Sequence, residues 1–387
     1  GDWGPARQYQ GNYSTLLYRE LATGALKRHA ATQHKASDLR PLFLWVAFHA
    51  VHRDDSSTPP MDILNVTQQA YLTMLGQLDG LPPNRLHNAE LLMPVDDSVR
   101  AILTDLNKYN MMEDTILVVH SDNGGDACHA AGDSAPWGSN WPLRGRKMSY
   151  FEGGVRVPAF IYSPRLSESV QGTVHNGMMH HVDWLATFVS LAKGEPYKSY
   201  REGDGMNMWP TLNGMEGAAE RQELILDLPQ NDSFRFAKAS ESATQRDLWH
   251  GVVAVRKGDL KLVYTASNET WFRSDVSTDT CPRYALVSDC ETNTALTESC
   301  TWDNYLFNVS TADGGDPTEH QNLYFDSDYA HELYQLKAHI ETYISAMPVF
   351  EDPYAAHSAQ KEAKSSAETA FAAAGDWVVP FGCEAIY

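Results

Sequence analysis

The chain has 387 residues, 43% of them hydrophobic and 11% aromatic, enough for one large packed domain or two ordinary ones. Its 30 basic and 50 acidic residues leave a formal charge of −20, which argues against a non-specific nucleic-acid or anionic-membrane binder, because both need a basic surface. It contains no run of about 18 apolar residues, so no transmembrane helix is expected.

Pro41-Leu42-Phe43-Leu44-Trp45-Val46-Ala47-Phe48 is almost continuously apolar and predicts a strand buried on both faces, ending in His49-Ala50-Val51-His52. Leu91, Val95, Val99, Ile102, Leu103 and Leu106 recur at helical spacing, so residues 90–108 predict a helix. A strand over 114–120 follows and breaks into Ser121-Asp122-Asn123-Gly124-Gly125. Two readings of that ending stay open. One is a tight turn, since Asn and Gly tolerate positive φ. The other is a ligand site at the carboxyl end of a strand, where α/β sheets place their chemistry.

Residues 157–162 predict a third strand, 182–192 an amphipathic helix and 223–226 a fourth strand. The alternation implies an α/β domain built on a mainly parallel sheet flanked by helices. The pattern then changes. Short strands over 252–256, 260–264 and 305–309 imply a smaller antiparallel unit, followed by a polar helix over 330–346. The expected organisation is an α/β domain over 1–235, an antiparallel-sheet subdomain with its helix over 236–350, and a tail over 351–387.

Five sequons, at Asn12, Asn65, Asn231, Asn268 and Asn308, favour an N-glycosylated protein of the secretory pathway, extracellular or lysosomal. The chain opens on Gly1, so any signal peptide is expected to have been removed or to lie upstream. Cys281, Cys290 and Cys300 crowd a Thr/Ser/Asp-rich stretch that reads as a disulfide-stapled loop. With Cys128 and Cys383 the count is odd, leaving one thiol free or bridged to another chain.

Ser121-Asp122-Asn123-Gly124-Gly125, Asn140 to Lys147 and Phe151-Glu152-Gly153-Gly154-Val155-Arg156-Val157-Pro158 together resemble the type I sulfatases of the alkaline-phosphatase-like superfamily, and within them the arylsulfatase B branch. Asn12 to Thr15, Pro41 to His52, Asp183 to Thr187, Asp204-Gly205, Val255 to Leu262, Leu306-Phe307 and Asp316 to Glu319 follow in family order. The resemblance implies that Asp122 and Asn123 are two ligands of a calcium ion, which takes hard oxygen donors. It implies that Lys147 contacts the substrate sulfate, and that His52 does likewise and protonates the leaving oxygen. A cation and a proton donor suit sulfate ester cleavage, where charge builds on the sulfuryl and leaving-group oxygens. Arg144, Arg146 and Arg156 read as buried or loop-fixing guanidiniums.

The family's nucleophile is a formylglycine made from cysteine within Cys-x-Pro-Ser-Arg. None of the five cysteines has that setting. The Asp-Asp metal pair that closes the family's first strand is missing too: Asp54-Asp55 follows the wrong strand, and Asp96-Asp97 falls inside a predicted helix. The resemblance therefore covers the C-terminal two-thirds of a sulfatase, so the fold expected is an incomplete alkaline-phosphatase-like one. It implies sulfuric ester hydrolysis, on an aryl or glycan sulfate, only if a companion chain supplies the N-terminal part, disulfide-linked through the odd cysteine. The alternative is an inactive sulfatase-like subunit of an extracellular assembly. A sheet without its first strands exposes an edge, so the chain is expected not to be a free monomer.

Overall fold

The computed structural model describes residues 7–9, 11–32, 40–52, 83–127, 138–193, 204–228, 252–265, 269, 271, 303–312 and 314–346. All five cysteines, Asp54-Asp55, three of the sequons (Asn65, Asn231, Asn268) and the tail lie outside them. Asn12 is exposed, and Asn308 is half-buried at a strand end.

Helices α1 (Ser14–Thr32) and α2 (Pro83–Lys108) pack through Ala22, Leu26, Ile102 and Leu106. The predicted helix at 90–108 is thus the C-terminal part of α2. Asp97 pairs with Arg100 one turn on, which makes the acidic pair an ordinary helix face. Strand β1 (Leu117–His120) begins after a 3-10 turn at Met112–Asp114 and pairs antiparallel with β2 (Ala159–Tyr162). The one-turn helix α3 (Glu152–Val155) precedes β2, and α4 (Asp183–Lys193) and the short α5 (Trp209–Leu212) follow it.

One expectation needs correction here. Residues 41–48 are extended but join no strand, and their side chains are largely exposed instead of buried on both faces. Val46 and Phe48 alone turn inward, against the α1–α2 cluster. An apolar run states that a segment wants burial; it does not supply the neighbour that buries it. Among the described strands, β1 and β2 pair with each other in a two-stranded antiparallel sheet.

Strands β3 (Glu223–Asp227), β4 (Val253–Lys257), β5 (Leu260–Thr265) and β6 (Asp303–Asn308) form one antiparallel sheet in that order. The strand near 223, read from sequence with the larger sheet, is thus the edge of this one. Gly258 has φ 56° in the tight β4–β5 connection, a left-handed value that favours glycine. Alternation then decides both faces. Val253, Val255, Leu262, Tyr264 and Leu306 meet Leu333, Leu336 and Ile340 of helix α6 (Ala330–Ala346). Val263, Tyr305 and Phe307 point the opposite way and pack on Phe151.

Lys261 shares that second face and is fully buried. Its ammonium lies 2.8 Å from Glu152 Oε1 and 2.9 Å from Glu319 Oε1. Glu319 Oε2 also accepts the Glu152 backbone N–H at 2.7 Å. Burial pushes the Glu152 carboxyl up, and Lys261, Arg256 and Arg156 together pull it below its ordinary value. Burial likewise pushes Glu319 up, against the pull of Lys261; with the Glu152 charge beside it, this carboxyl ends above its ordinary value.

Two measurements check this core. Ile340→Ala, a fully buried site, is expected to lower the unfolding free energy by about 2–5 kcal/mol in urea titrations. Together with the buried Glu269, whose carboxyl is also raised, the acid-to-neutral dependence comes from Glu319. Its folded value is raised, so its contribution is full below the ordinary 4.5 and fades as pH rises through the raised value. Glu152 acts oppositely, contributing above 4.5 and losing that contribution as pH falls through its lowered value. Glu319→Gln cannot titrate there, so its urea midpoints should decline less above pH 4.5 than those of the parent chain, the remainder coming from Glu269.

Candidate active-site turn at the end of strand β1

The β1–β2 ladder does not stop at His120. Ser121 N–H donates to Pro158 O at 3.2 Å and Gly124 N–H to Gly154 O at 2.9 Å, so the chain leaves the strand bound to the loop that carries α3. Ser121 Oγ donates to Asn123 O at 2.8 Å, and Asn123 N–H donates to Asp122 Oδ1 at 2.8 Å. The turn is closed by its own polar groups, while the Asp122 side chain faces solvent. Gly124 is required by contact: a Cβ there would sit 1.8 Å from Gly153 O.

Gly125 is clamped by one amide side chain. Its N–H donates to Asn140 Oδ1 at 2.7 Å, and Asn140 Nδ2 donates to Gly125 O at 2.8 Å and Gly145 O at 3.1 Å. Gly125 O also accepts the Lys147 N–H at 3.0 Å. Asp122, Asn123 and Lys147 are therefore brought onto one hydrogen-bonded unit. His52 is exposed at the end of the extended segment, with its backbone N–H bonded to His49 O at 2.8 Å.

Arg144 and Arg146 are buried, as the sequence reading held. The Arg144 guanidinium lies 4.2 Å from the Phe151 ring and 4.9 Å from those of Trp271 and Tyr305, and donates to Glu269 O at 2.8 Å. Arg146 lies 3.4 Å from the Glu269 carboxylate and 3.6 Å from that of Asp126. Burial raises the Glu269 carboxyl despite Arg146. Arg156 is more open and approaches Glu152 at 3.8 Å.

Sequence reasoning assigned no role to Asn140, and it missed a histidine group. His120 and His181 rings are 4.8 Å apart, and His180 lies 5.8 Å from His181. His120 also stacks on Trp184 at 6.1 Å. Partial burial, then the neighbouring His120 and His180, lower the His181 pKa, while Asp122 acts to raise it. The only sequence signal was the His-His pair placed before Asp183-Trp184. Asp183 itself is structural: it accepts the His180 and Met206 N–H groups, both at 2.8 Å, and the Arg221 guanidinium.

Calcium takes six to eight oxygen ligands. Asp122 and Asn123 supply two side-chain donors, and no group of three or more His, Cys, Asp or Glu is gathered among the described residues. This turn by itself does not fit the ion.

Residues 3–194 match the family model described as Sulfatase. Arylsulfatase J of Mus musculus is 33% identical over 203 residues, covering 52% of this chain and 29% of that protein. N-acetylgalactosamine-6-sulfatase of Homo sapiens is 30% identical over 200 residues, covering 51% of this chain and 32% of that protein. The chain thus spans about a third of the length of the curated relatives it matches. The crystal structure of Ps i-CgsB in complex with k-i-k-neocarrahexaose superposes with a TM-score of 0.56 at 19% identity, over 86% of this chain and 55% of that one, which bears on the fold alone. The same 55% coverage holds for Ps i-CgsB itself, at a TM-score of 0.53. This turn lies inside the matched segment and in an alkaline-phosphatase-like fold, and residues 3–194 are a sulfatase-family segment.

Proposed function

We propose that this chain carries one side of a site for sulfuric ester hydrolysis, on an aryl or glycan sulfate, with the nucleophile supplied from outside these residues. The observation behind the reading is the shared fixation of Asp122, Asn123 and Lys147 through Gly124 and Gly125. In this reading the Lys147 ammonium binds the sulfate and offsets the negative charge that builds on its oxygens. His52 gives a proton to the leaving oxygen, which requires that assembly bring the end of the extended segment to the substrate. Asp122 and Asn123 add two oxygens to a calcium site completed by ligands elsewhere. We place the protein in the secretory pathway, N-glycosylated; no helix of the described residues is long and apolar enough to cross a membrane.

A second reading has one observation in its favour. No cysteine of the chain stands in a Cys-x-Pro-Ser-Arg setting, which suits an inactive sulfatase-like subunit of an extracellular assembly.

Turnover of an aryl sulfate separates the two. The chain alone should be inactive. Co-expressed with the N-terminal part of a sulfatase that carries the formylglycine cysteine, it should hydrolyse the ester. Lys147→Ala in that complex should lower kcat/KM roughly 100- to 1,000-fold. An assembled complex without turnover would leave the subunit reading.

A further inference from the structure

Beside Lys147 the backbone does something unusual. Met148 sits in the left-handed region, at φ 71°, where a residue with a Cβ pays a steric cost. Such a conformation persists only where the surroundings over-determine it. Here they do. Ser149 N–H donates to Arg146 O at 3.0 Å, so Lys147 and Met148 are the two central residues of a tight turn. With positive φ at the second of them, Met148 takes the place that a type II turn gives to glycine or asparagine. The buried Ser149 hydroxyl accepts the Arg146 N–H at 3.1 Å and donates to Arg146 O at 2.8 Å. Gly154 packs against both ends of the turn: a Cβ there would come within 2.5 Å of Arg146 O and 2.1 Å of Ser149 O.

The methionine side chain gives little back to the fold. It is 65% exposed and belongs to none of the three apolar clusters of the described residues. Glycine would satisfy this φ without strain. A strained position with an exposed apolar side chain, next to a candidate ligand-binding group, points to use by a ligand. Its neighbour says what that ligand is. The Lys147 ammonium pairs with no carboxylate among the described residues. With a sulfate on that ammonium, the carbon skeleton of the ester is what a long side chain one residue on can reach. A thioether on an unbranched, rotatable chain is polarisable and adapts to the edge or face of a ring, and it is a poor hydrogen-bond partner for hydroxyls.

We infer that Met148 is a specificity-determining residue, whose thioether packs on the ring that bears the sulfate ester held by Lys147. The site then favours a sulfate carried on a flat ring, aryl or pyranose, over one on a short alkyl group. This rests on the sulfate-binding role of Lys147 proposed above and adds the form of the substrate to it.

The test follows the methionine methyl signals of the full 387-residue chain by nuclear magnetic resonance. The probes are phenyl sulfate, a methyl glucopyranoside sulfated on a ring hydroxyl, and methyl sulfate, which has the same ester and charge without a ring. The expected result is a shift of the Met148 methyl with a ring sulfate, which binds about three- to tenfold more tightly than methyl sulfate. Met148→Gly should abolish that ratio while the thermal midpoint stays level or rises. A response to phenyl sulfate identifies an aryl ring, and a response to the glucopyranoside a sugar ring. A ratio of one in the parent chain, a ratio that survives Met148→Gly, or a fall in the thermal midpoint of that variant overturns the inference. Lys147→Ala separates this from the underlying reading. Where it removes methyl sulfate binding, the sulfate role of Lys147 stands even if the ring preference is absent. Where none of the probes binds, or Lys147→Ala changes nothing, both fall.

Discussion

A lysine ammonium withdrawn from water stays charged only where anionic acceptors replace the solvent. Lys261, in the middle of β5, meets this condition with two buried carboxylates, Glu152 and Glu319. Removing one partner from such a group costs more than forming it gains, so the arrangement specifies geometry more than it adds net stability. The geometry it specifies is that of the candidate site. Glu152 opens α3, so the ion triad pins the loop to the antiparallel sheet. Gly154 of that helix accepts the Gly124 N–H, and Gly124 follows Asp122 and Asn123 directly. The position of a solvent-facing carboxylate is thereby set by a salt link far from it in sequence.

Arg144 makes the second tie, and it works differently. Its guanidinium is enclosed by Phe151 from the loop and by Tyr305 and Phe307 from the sheet, so its charge is met by ring faces and backbone carbonyls. Such contacts are worth more when desolvated, as this one is. Glu319 serves both ties: its carboxylate holds Lys261 while its backbone oxygen, at φ 59°, faces Arg144 at 3.5 Å. A non-glycine residue in that left-handed region persists only where its surroundings over-determine it. The C-terminal sheet is therefore part of what makes the turn rigid.

Much of this was legible in the sequence, and the failures share one cause. The antiparallel strands were read as strands from the sequence, and their alternation puts Val253, Val255, Leu262 and Leu306 on one face and Tyr305 and Phe307 on the other. The acid-amide-glycine turn and the Arg144–Arg146 burial were legible because they depend on local chemistry. Residues 41–48 were misjudged because an apolar run encodes a demand for burial and not its fulfilment. Asn140, Glu319 and the His120–His181 contact were missed because their partners lie from 15 to well over 100 residues away. Nothing in the local pattern of Asp316-Pro317-Thr318-Glu319 says that its last carboxylate will meet a lysine on β5.

The two sides of the molecule stand in physical contrast, and that contrast bears on how a site could be assembled here. On the sheet side the turn is held by buried charge, aromatic enclosure and the Asn140 amide, so its polar groups are ordered in advance. Residues 41–48, by contrast, join no strand among the described residues, and most of their side chains are exposed. Ordering the polar side beforehand removes its share of the conformational cost from the association step. A group that meets this turn therefore need not also organise the backbone of Asp122, Asn123 and Lys147. His52, exposed at the end of residues 40–52, belongs to that extended stretch and not to the turn that carries the other three candidates.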